Sequence, residues 1–294
     1  MPPVRFSFAE SMIDPAFYLP LARAAEVAGY DSMVVPESIM YPKASDTTYP
    51  YVDGGNRDFL EDKPFLDPFS LIPAMGAVTT LLRFVTFVVK LPVRSPVLAA
   101  KQAATVAVMT DNRLALGVGL SPWPEDYAAC GQPWPERSRR MDEQIDIISG
   151  LCEGGYFEYH GDYYDLAPIK ICPTPTERVP ILVGGHSGAA LERAARCDGW
   201  LHAGTNSEHL ADTVGQLLEL RRRLDRPDEP FEVHELSLDA YSVDGCKRLE
   251  DLGVTDVIVG FRDPYHRAQD TELLQVKIDA VNQYAEAVIA RCNA

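Results

Sequence analysis

Short apolar or β-branched runs alternate with segments of helical period eight times along this chain, and that alternation restricts the fold more than any other feature. Each strand–helix pair takes roughly 25 to 50 residues, which is the spacing of βαβ units laid on a parallel sheet. The runs predict strands over 4–8, 32–35, 84–89, 114–118, 181–183, 200–202, 231–236 and 256–260. Helices are predicted over 15–28, 67–80, 96–109, 136–151, 188–196, 208–224, 244–251 and 271–290. Several carry explicit boundary signals: Asp67-Pro68 and Pro96 at starts, and Gly29 after the apolar stripe of Leu19, Ala22 and Ala25. Eight strands and eight helices in this order predict a single (β/α)8 TIM barrel over 1–294, with long excursions at about 36–66 and 152–180. The alternative, two doubly wound domains, needs a linker near the middle, and the chain offers none.

A barrel gathers its chemistry at the C-terminal ends of the strands, where the loops converge on one mouth. The candidate segments are therefore 9–11, 36–38, 89–94, 119–125, 184–187, 202–205, 237–239 and 260–263, with both excursions leaving at or beside that mouth. The formal charge of −16 repels polyanions, which argues against nucleic acid and anionic membrane as partners and leaves a small molecule. The six cysteines form no CxxC pair, so reduced thiols in a cytoplasmic protein are expected. Neither a membrane-length apolar stretch nor the basic-then-apolar order of a signal peptide is visible.

Within the candidate segments, Gly184-Gly185-His186-Ser187 follows a strand and opens a helix, so its amides and the positive helix end suit a phosphate without any lysine. A plain tight turn with Ser187 as N-cap reads equally well. Gly117 and Gly119 serve either close approach of a ring or barrel packing. Lys90 at the end of strand three is either a Schiff-base lysine or a side chain snorkelling to solvent. Glu37 is a candidate proton donor or acceptor, or else a solvated rim carboxylate. His186 and His202, on adjacent strand ends, are candidates to relay a proton. No metal-ligand spacing such as HExxH occurs, so no metal is expected. Trp123, Tyr127 and Trp134, interleaved with prolines, form either a stacking wall or loop packing over the barrel.

Five stretches in order give a further constraint: LARAAEVAGYDSMVVPES, LPVRSPVLAAKQAATVAVMTDNRLALGVGLSPWPEDY, ERSRRMDEQIDII, FEYHGDYYDL and VPILVGGHSGAALERAARCDGWL. Together they resemble the bacterial luciferase-like monooxygenase superfamily over nearly the whole chain. SPWPEDY and FEYHGDYY resemble its coenzyme F420-dependent oxidoreductase branch. The resemblance implies FMN or the deazaflavin F420 at the mouth, with F420 favoured. It implies that Gly184, Gly185, His186 and Ser187 hold the cofactor's phosphate. Phe87-Val88 would form a bulge against the ring, often a non-prolyl cis peptide in this family, with Ser121 to Trp123 beside the ring. Glu37 and Ser38 fall where many deazaflavin dehydrogenases carry an Asp-His pair. That departure leaves Glu37, His186 and His202 as the ranked candidates for proton handling. Leu120 replaces the acidic residue of sugar-phosphate dehydrogenases in the family, which argues against a sugar phosphate. A homodimer is also implied.

The expected activity is hydride transfer between deazaflavin and a small organic substrate, with orientation and exclusion of water as the protein's main contribution. The rivals are an FMN-dependent monooxygenase served by a partner reductase, a Schiff-base lyase using Lys90, and a catalytically idle flavin-binding barrel.

Overall fold

A computed structural model describes residues 3–45, 47–49, 55–203 and 209–293. Its first half contains β1 (Arg5–Ala9), α1 (Tyr18–Ala28), β2 (Ser32–Val35), α2 (Pro68–Gly76), β3 (Arg83–Thr86), β4 (Val89–Lys90), α3 (Pro96–Met109) and β5 (Leu114–Gly119). Next come α4 (Pro124–Ala129), α5 (Arg137–Glu153), β6 (Phe157–His160), β7 (Asp165–Ile169), β8 (Ile181–Gly184) and α6 (Gly188–Arg196). The last part holds β9 (Gly199–His202), α7 (Leu210–Arg223), β10 (Glu232–Leu236), α8 (Val243–Asp251), β11 (Asp256–Val259) and α9 (Leu274–Tyr284), followed by a π-turn and α10 (Ala290–Cys292). The segment 204–208, with Thr205 and the expected helix start at Glu208, lies outside the described residues.

Parallel pairing runs β1–β2–β3–β5–β8–β9–β10–β11 and returns to β1, so the ring closes into the expected barrel. Side chains alternate along each strand, and the two directions build different cores. Phe6, Phe8, Met33, Phe84, Leu116, Trp200 and Val257 belong to the large core shared with the helices. Val34, Val85, Ala115, Leu182, Leu201 and Ile258 form a separate apolar layer inside the ring. Beneath that layer, at the N-terminal ends of the strands, lies an ionic plug. Arg5 bonds Asp256 (2.6 Å), Arg83 bonds Glu232 (2.8 Å), and His234 Nε2 lies 2.8 Å from Glu232. Burial works against ionising Glu232, but the His234 hydrogen bond and the nearby arginines prevail and hold its carboxyl down at about 2.

The structure departs from the expected elements in four places. The predicted third strand, 84–89, is interrupted: β3 stops at Thr86, the Phe87–Val88 peptide is cis, and β4 resumes at Val89. The second helix ends at Gly76 rather than Thr80, because Arg113 collects the carbonyls of Gly76 (2.9 Å), Thr79 (3.1 Å) and Leu82 (2.8 Å). A short helix, α4, stands in the segment read as loop. The second excursion leaves from the C-terminal end of α5, which is opposite the mouth. It forms the antiparallel hairpin β6–β7, whose turn is fastened to α5 by Glu143 accepting from the amides of Asp162 (2.7 Å), Tyr163 and Tyr164. Only the first excursion roofs the mouth, where Tyr41, Tyr49, Phe59, Leu60 and Phe65 gather with Met12 and Trp123.

Candidate active site

The mouth is divided into two lobes of about 370 Å³ each, with Pro36, Phe87, Leu236 and Tyr265 as their common wall. The first lobe lies between the strand-three interruption and the loop after β8. Val88 reaches into it between two glycines: a Cβ on Gly119 would sit 2.7 Å, and one on Gly184 3.1 Å, from the Val88 methyls. Gly117, one layer deeper, is there for packing, since a Cβ would fall 1.8 Å from the Thr86 carbonyl oxygen.

The loop itself needs glycine at 185, where φ is +121° and a Cβ would approach Ala190 Cβ to 3.0 Å. Ser187 caps α6 by accepting from the Ala190 amide, and the first intrahelical bond is Leu191 N–H to the Ser187 carbonyl. The amides of Ser187, Gly188 and Ala189 thus precede the hydrogen-bonded turns and add to the positive end of the helix. Trp200 Nε1 donates to the Gly185 carbonyl (2.8 Å), which fixes the loop from behind.

His186 lines the lobe, and no protein group hydrogen-bonds its ring among the described residues. It meets His202 edge to face with ring centres 4.8 Å apart; His202 in turn stacks on Trp200 at 4.9 Å and is hydrogen-bonded through Nδ1 to Glu235. Burial, then His202, lowers the His186 pKa, and burial raises that of Glu235. His202 and Glu235 are outside the cavity wall, behind His186. Any influence of His202 on a bound molecule therefore passes through His186.

Three other expected site residues stand differently from the sequence reading. Glu37 borders the lobe, but Arg94 grips both its oxygens and the Lys90 amide donates to it (2.9 Å). With its side chain 3% exposed and held by Arg94, it is not a solvated rim group; it braces the strand-three loop. Ser38 is absent from the walls of both lobes. Ser121 is buried beneath the wall, donating to Asp126 (2.6 Å) and accepting from the Trp123 amide. Phe87, Val88, Trp123 and Gly184 to Ser187 do come together on one surface.

Lys90 was expected at the strand end but not in its actual setting. It is buried rather than snorkelling, with Nζ 2.6 Å from Asp126 and 4.3 Å from the centre of the Trp123 ring. Burial lowers its pKa and Asp126 opposes that shift. The indole is held on another contact by Arg57 at 4.7 Å. The second lobe is mainly apolar, with Val34, Leu236, Leu238 and Ile258, and carries one ionic group in which Glu10 accepts from Arg262 (3.0 Å) and Lys277 (3.3 Å). Lys277, on α9, has no sequence signal of its own. Among the described residues the one set near enough to share a metal ion is Glu232, His234 and Asp256, at the opposite end of the barrel and already matched by arginines.

No helix among the described residues is long and apolar enough to cross a membrane. An uncharacterized protein of Mycobacterium tuberculosis is 54% identical over 288 residues, covering 98% of this chain and all of that one. The FMNH2-dependent dimethylsulfone monooxygenase of Pseudomonas putida is 34% identical over 139 residues, 46% of this chain and 38% of that protein. Among solved structures, the coenzyme F420-dependent tetrahydromethanopterin reductase of Methanopyrus kandleri superposes with a TM-score of 0.73 at 15% identity, covering 98% of this chain and 99% of that one. The profile of the luciferase-like monooxygenase family matches residues 6–236, so a closed barrel with a cis wedge facing a glycine loop at its mouth is here the barrel of a luciferase-like monooxygenase family member.

Proposed function

We propose that the protein is a coenzyme F420-dependent oxidoreductase that moves a hydride to or from a small organic substrate. The observation that carries this reading is the pairing, in one cavity, of the Phe87–Val88 wedge with an anion cradle made of amides. A flat ring fits against the wedge, whose Val88 side chain is given room by the glycines at 119 and 184. Arg193, a wall cation of this lobe carried on the helix that the cradle opens, is committed to Asp142 through two bonds of 2.8 and 2.9 Å. Amides and a helix end suit the phosphate of either coenzyme without a lysine. The bound coenzyme would supply or accept the electron pair.

The chain's own groups do the rest. The wedge and Trp123 orient the ring, the roof of the first excursion excludes water, and the apolar second lobe takes the substrate. His186 is the wall imidazole free to hold or release a proton, with the Glu235–His202 pair setting its surroundings. Lys90, ion-paired as an ammonium, is poorly disposed to attack a carbonyl, which weighs against a lyase. The partial match to an FMNH2-dependent monooxygenase supports FMN as the second reading. Titration of the purified protein with F420 and with FMN, followed by fluorescence quenching, tests both. Tighter binding of F420 is expected; tighter binding of FMN reverses the cofactor, and binding of neither overturns the reading. A homodimer belongs to the proposal and is tested by sedimentation equilibrium.

A further inference from the structure

Two helices converge on one carbonyl beside the second lobe. The Ala240 oxygen, on the turn Leu238–Tyr241, accepts from Cys246 Sγ on α8 (3.4 Å) and from the Tyr284 hydroxyl at the end of α9 (2.6 Å). In a straight α-helix the step from Tyr284 to Cys292 would turn the second residue about 80° away from the face of the first. The wider π-turn Ala285–Ile289 lies between them and takes up part of that rotation, and α10 packs on α8. The Cys246 thiol donates toward the Cys292 sulfur, so the two sulfurs face each other. Burial pushes the Cys246 thiol up to about 12 and also raises that of Cys292, a rise opposed by the Cys246 S–H and Lys247. Cys246 is fully buried, whereas Cys292 is partly exposed. The other cysteines stand on other elements: Cys130 after α4, Cys152 on α5, Cys172 after β7 and Cys197 after α6. A reachable sulfur backed by a shielded one is the arrangement of an attacking thiol beside its resolving partner.

We propose that Cys246 and Cys292 are an oxidation site, joined by a hydroperoxide into a reversible disulfide that staples the C-terminal helix to α8. The Cys292 sulfur attacks one peroxide oxygen, the O–O bond breaks, and water or an alcohol leaves, which gives a sulfenic acid at Cys292. The Cys246 sulfur then attacks the Cys292 sulfur and the S–O bond breaks. The Cys246 proton departs with the hydroxyl as water. Two thiols lose two electrons, and the hydroperoxide takes them up. The disulfide removes the S–H donor from the Ala240 carbonyl but leaves the Tyr284 hydroxyl on it, so the neighbouring Tyr241 keeps its place in the wall of the second lobe. The staple closes a long loop that contains β11 and α9, and it restrains the unfolded chain more than the folded one. This inference is independent of the cofactor reading, since neither cysteine lines either lobe.

The test treats the purified protein with hydrogen peroxide in a Cys130→Ser/Cys172→Ser background, which removes the two exposed thiols and with them any link between molecules. Free thiols are then alkylated, and the peptides are mapped by mass spectrometry with and without dithiothreitol. A peptide linking Cys246 to Cys292 is expected, with Cys152 and Cys197 still alkylated. The midpoint of thermal unfolding should rise by about 5 °C on oxidation and return with dithiothreitol. Cys292→Ser, a change at a partly exposed position that leaves the buried Cys246 in place, should show neither the link nor the rise. Both thiols remaining alkylatable after peroxide would overturn the inference. So would Cys292 advancing to a sulfinic acid beside a free Cys246, or either cysteine linking to a different partner.

Discussion

The two ends of this barrel handle charge in opposite ways. At the N-terminal end, Arg5, Arg83, Glu232, Asp256 and His234 Nε2 answer one another and seal the floor beneath the apolar layer, with His234 Nδ1 the one atom of the cluster buried without a hydrogen bond. At the mouth, polar groups are left short of partners: Asp126 Oδ1, Trp123 Nε1 and Glu235 Oε1 are buried without hydrogen bonds, and the His186 ring has none. Satisfied charges hold a fold together, while unsatisfied ones mark where another molecule is expected to complete the set. One ring of strands can thus serve both purposes because its two ends are separated by the Val34–Val85–Ala115–Leu182–Leu201–Ile258 layer.

If the floor serves stability, Glu232→Gln should show the largest effect, a loss of about 3 kcal/mol at pH 7 measured by urea unfolding, with coenzyme binding unaffected. The folded carboxyl, at about 2, lies below its ordinary 4.5, so its contribution is complete above pH 4.5 and fades as pH falls toward 2. The gap between parent and variant should close over that same interval; a gap that is constant with pH would assign the loss to packing. At the mouth, Gly185→Asp puts a carboxylate into the cradle at a positive φ and should weaken F420 or FMN about 100-fold, at a stability cost of about 1 kcal/mol. Parent-like affinity in that variant would remove the cradle from the site. Smaller still is the effect of His186→Asn, about tenfold in kcat/KM near neutral pH. Because burial and His202 lower the His186 pKa below 6.5, the parent's acidic limb should lie below that value and should be absent from the variant. An acidic limb that survives in His186→Asn would transfer the proton to another group.

Elements with local signals were legible in the residue order. The predicted bounds of α3 and α6 coincide with those observed, since Pro96 opens the one and Ser187 caps the other. The loop at Gly184 to Ser187 and the wedge at Phe87–Val88 are contiguous, and the family resemblance singled both out. What escaped depends on residues far apart in sequence. Glu37 meets Arg94 across 57 positions and Lys90 meets Asp126 across 36, so each read alone as a rim carboxylate or a solvent-seeking amine. The β6–β7 hairpin escaped for a different reason: one of its faces is exposed and the other lies along α5, which leaves a weak apolar alternation rich in Tyr and Gly.

Trp200 is rooted in the outer core among the helices, yet its indole nitrogen holds the carbonyl of Gly185. Affinity at the mouth is therefore hostage to the scaffolding around it. Warming should loosen ligand grip before the molecule melts as a whole, and a mutation among the helices behind β9 should register first as a leaky enzyme rather than an unfolded one.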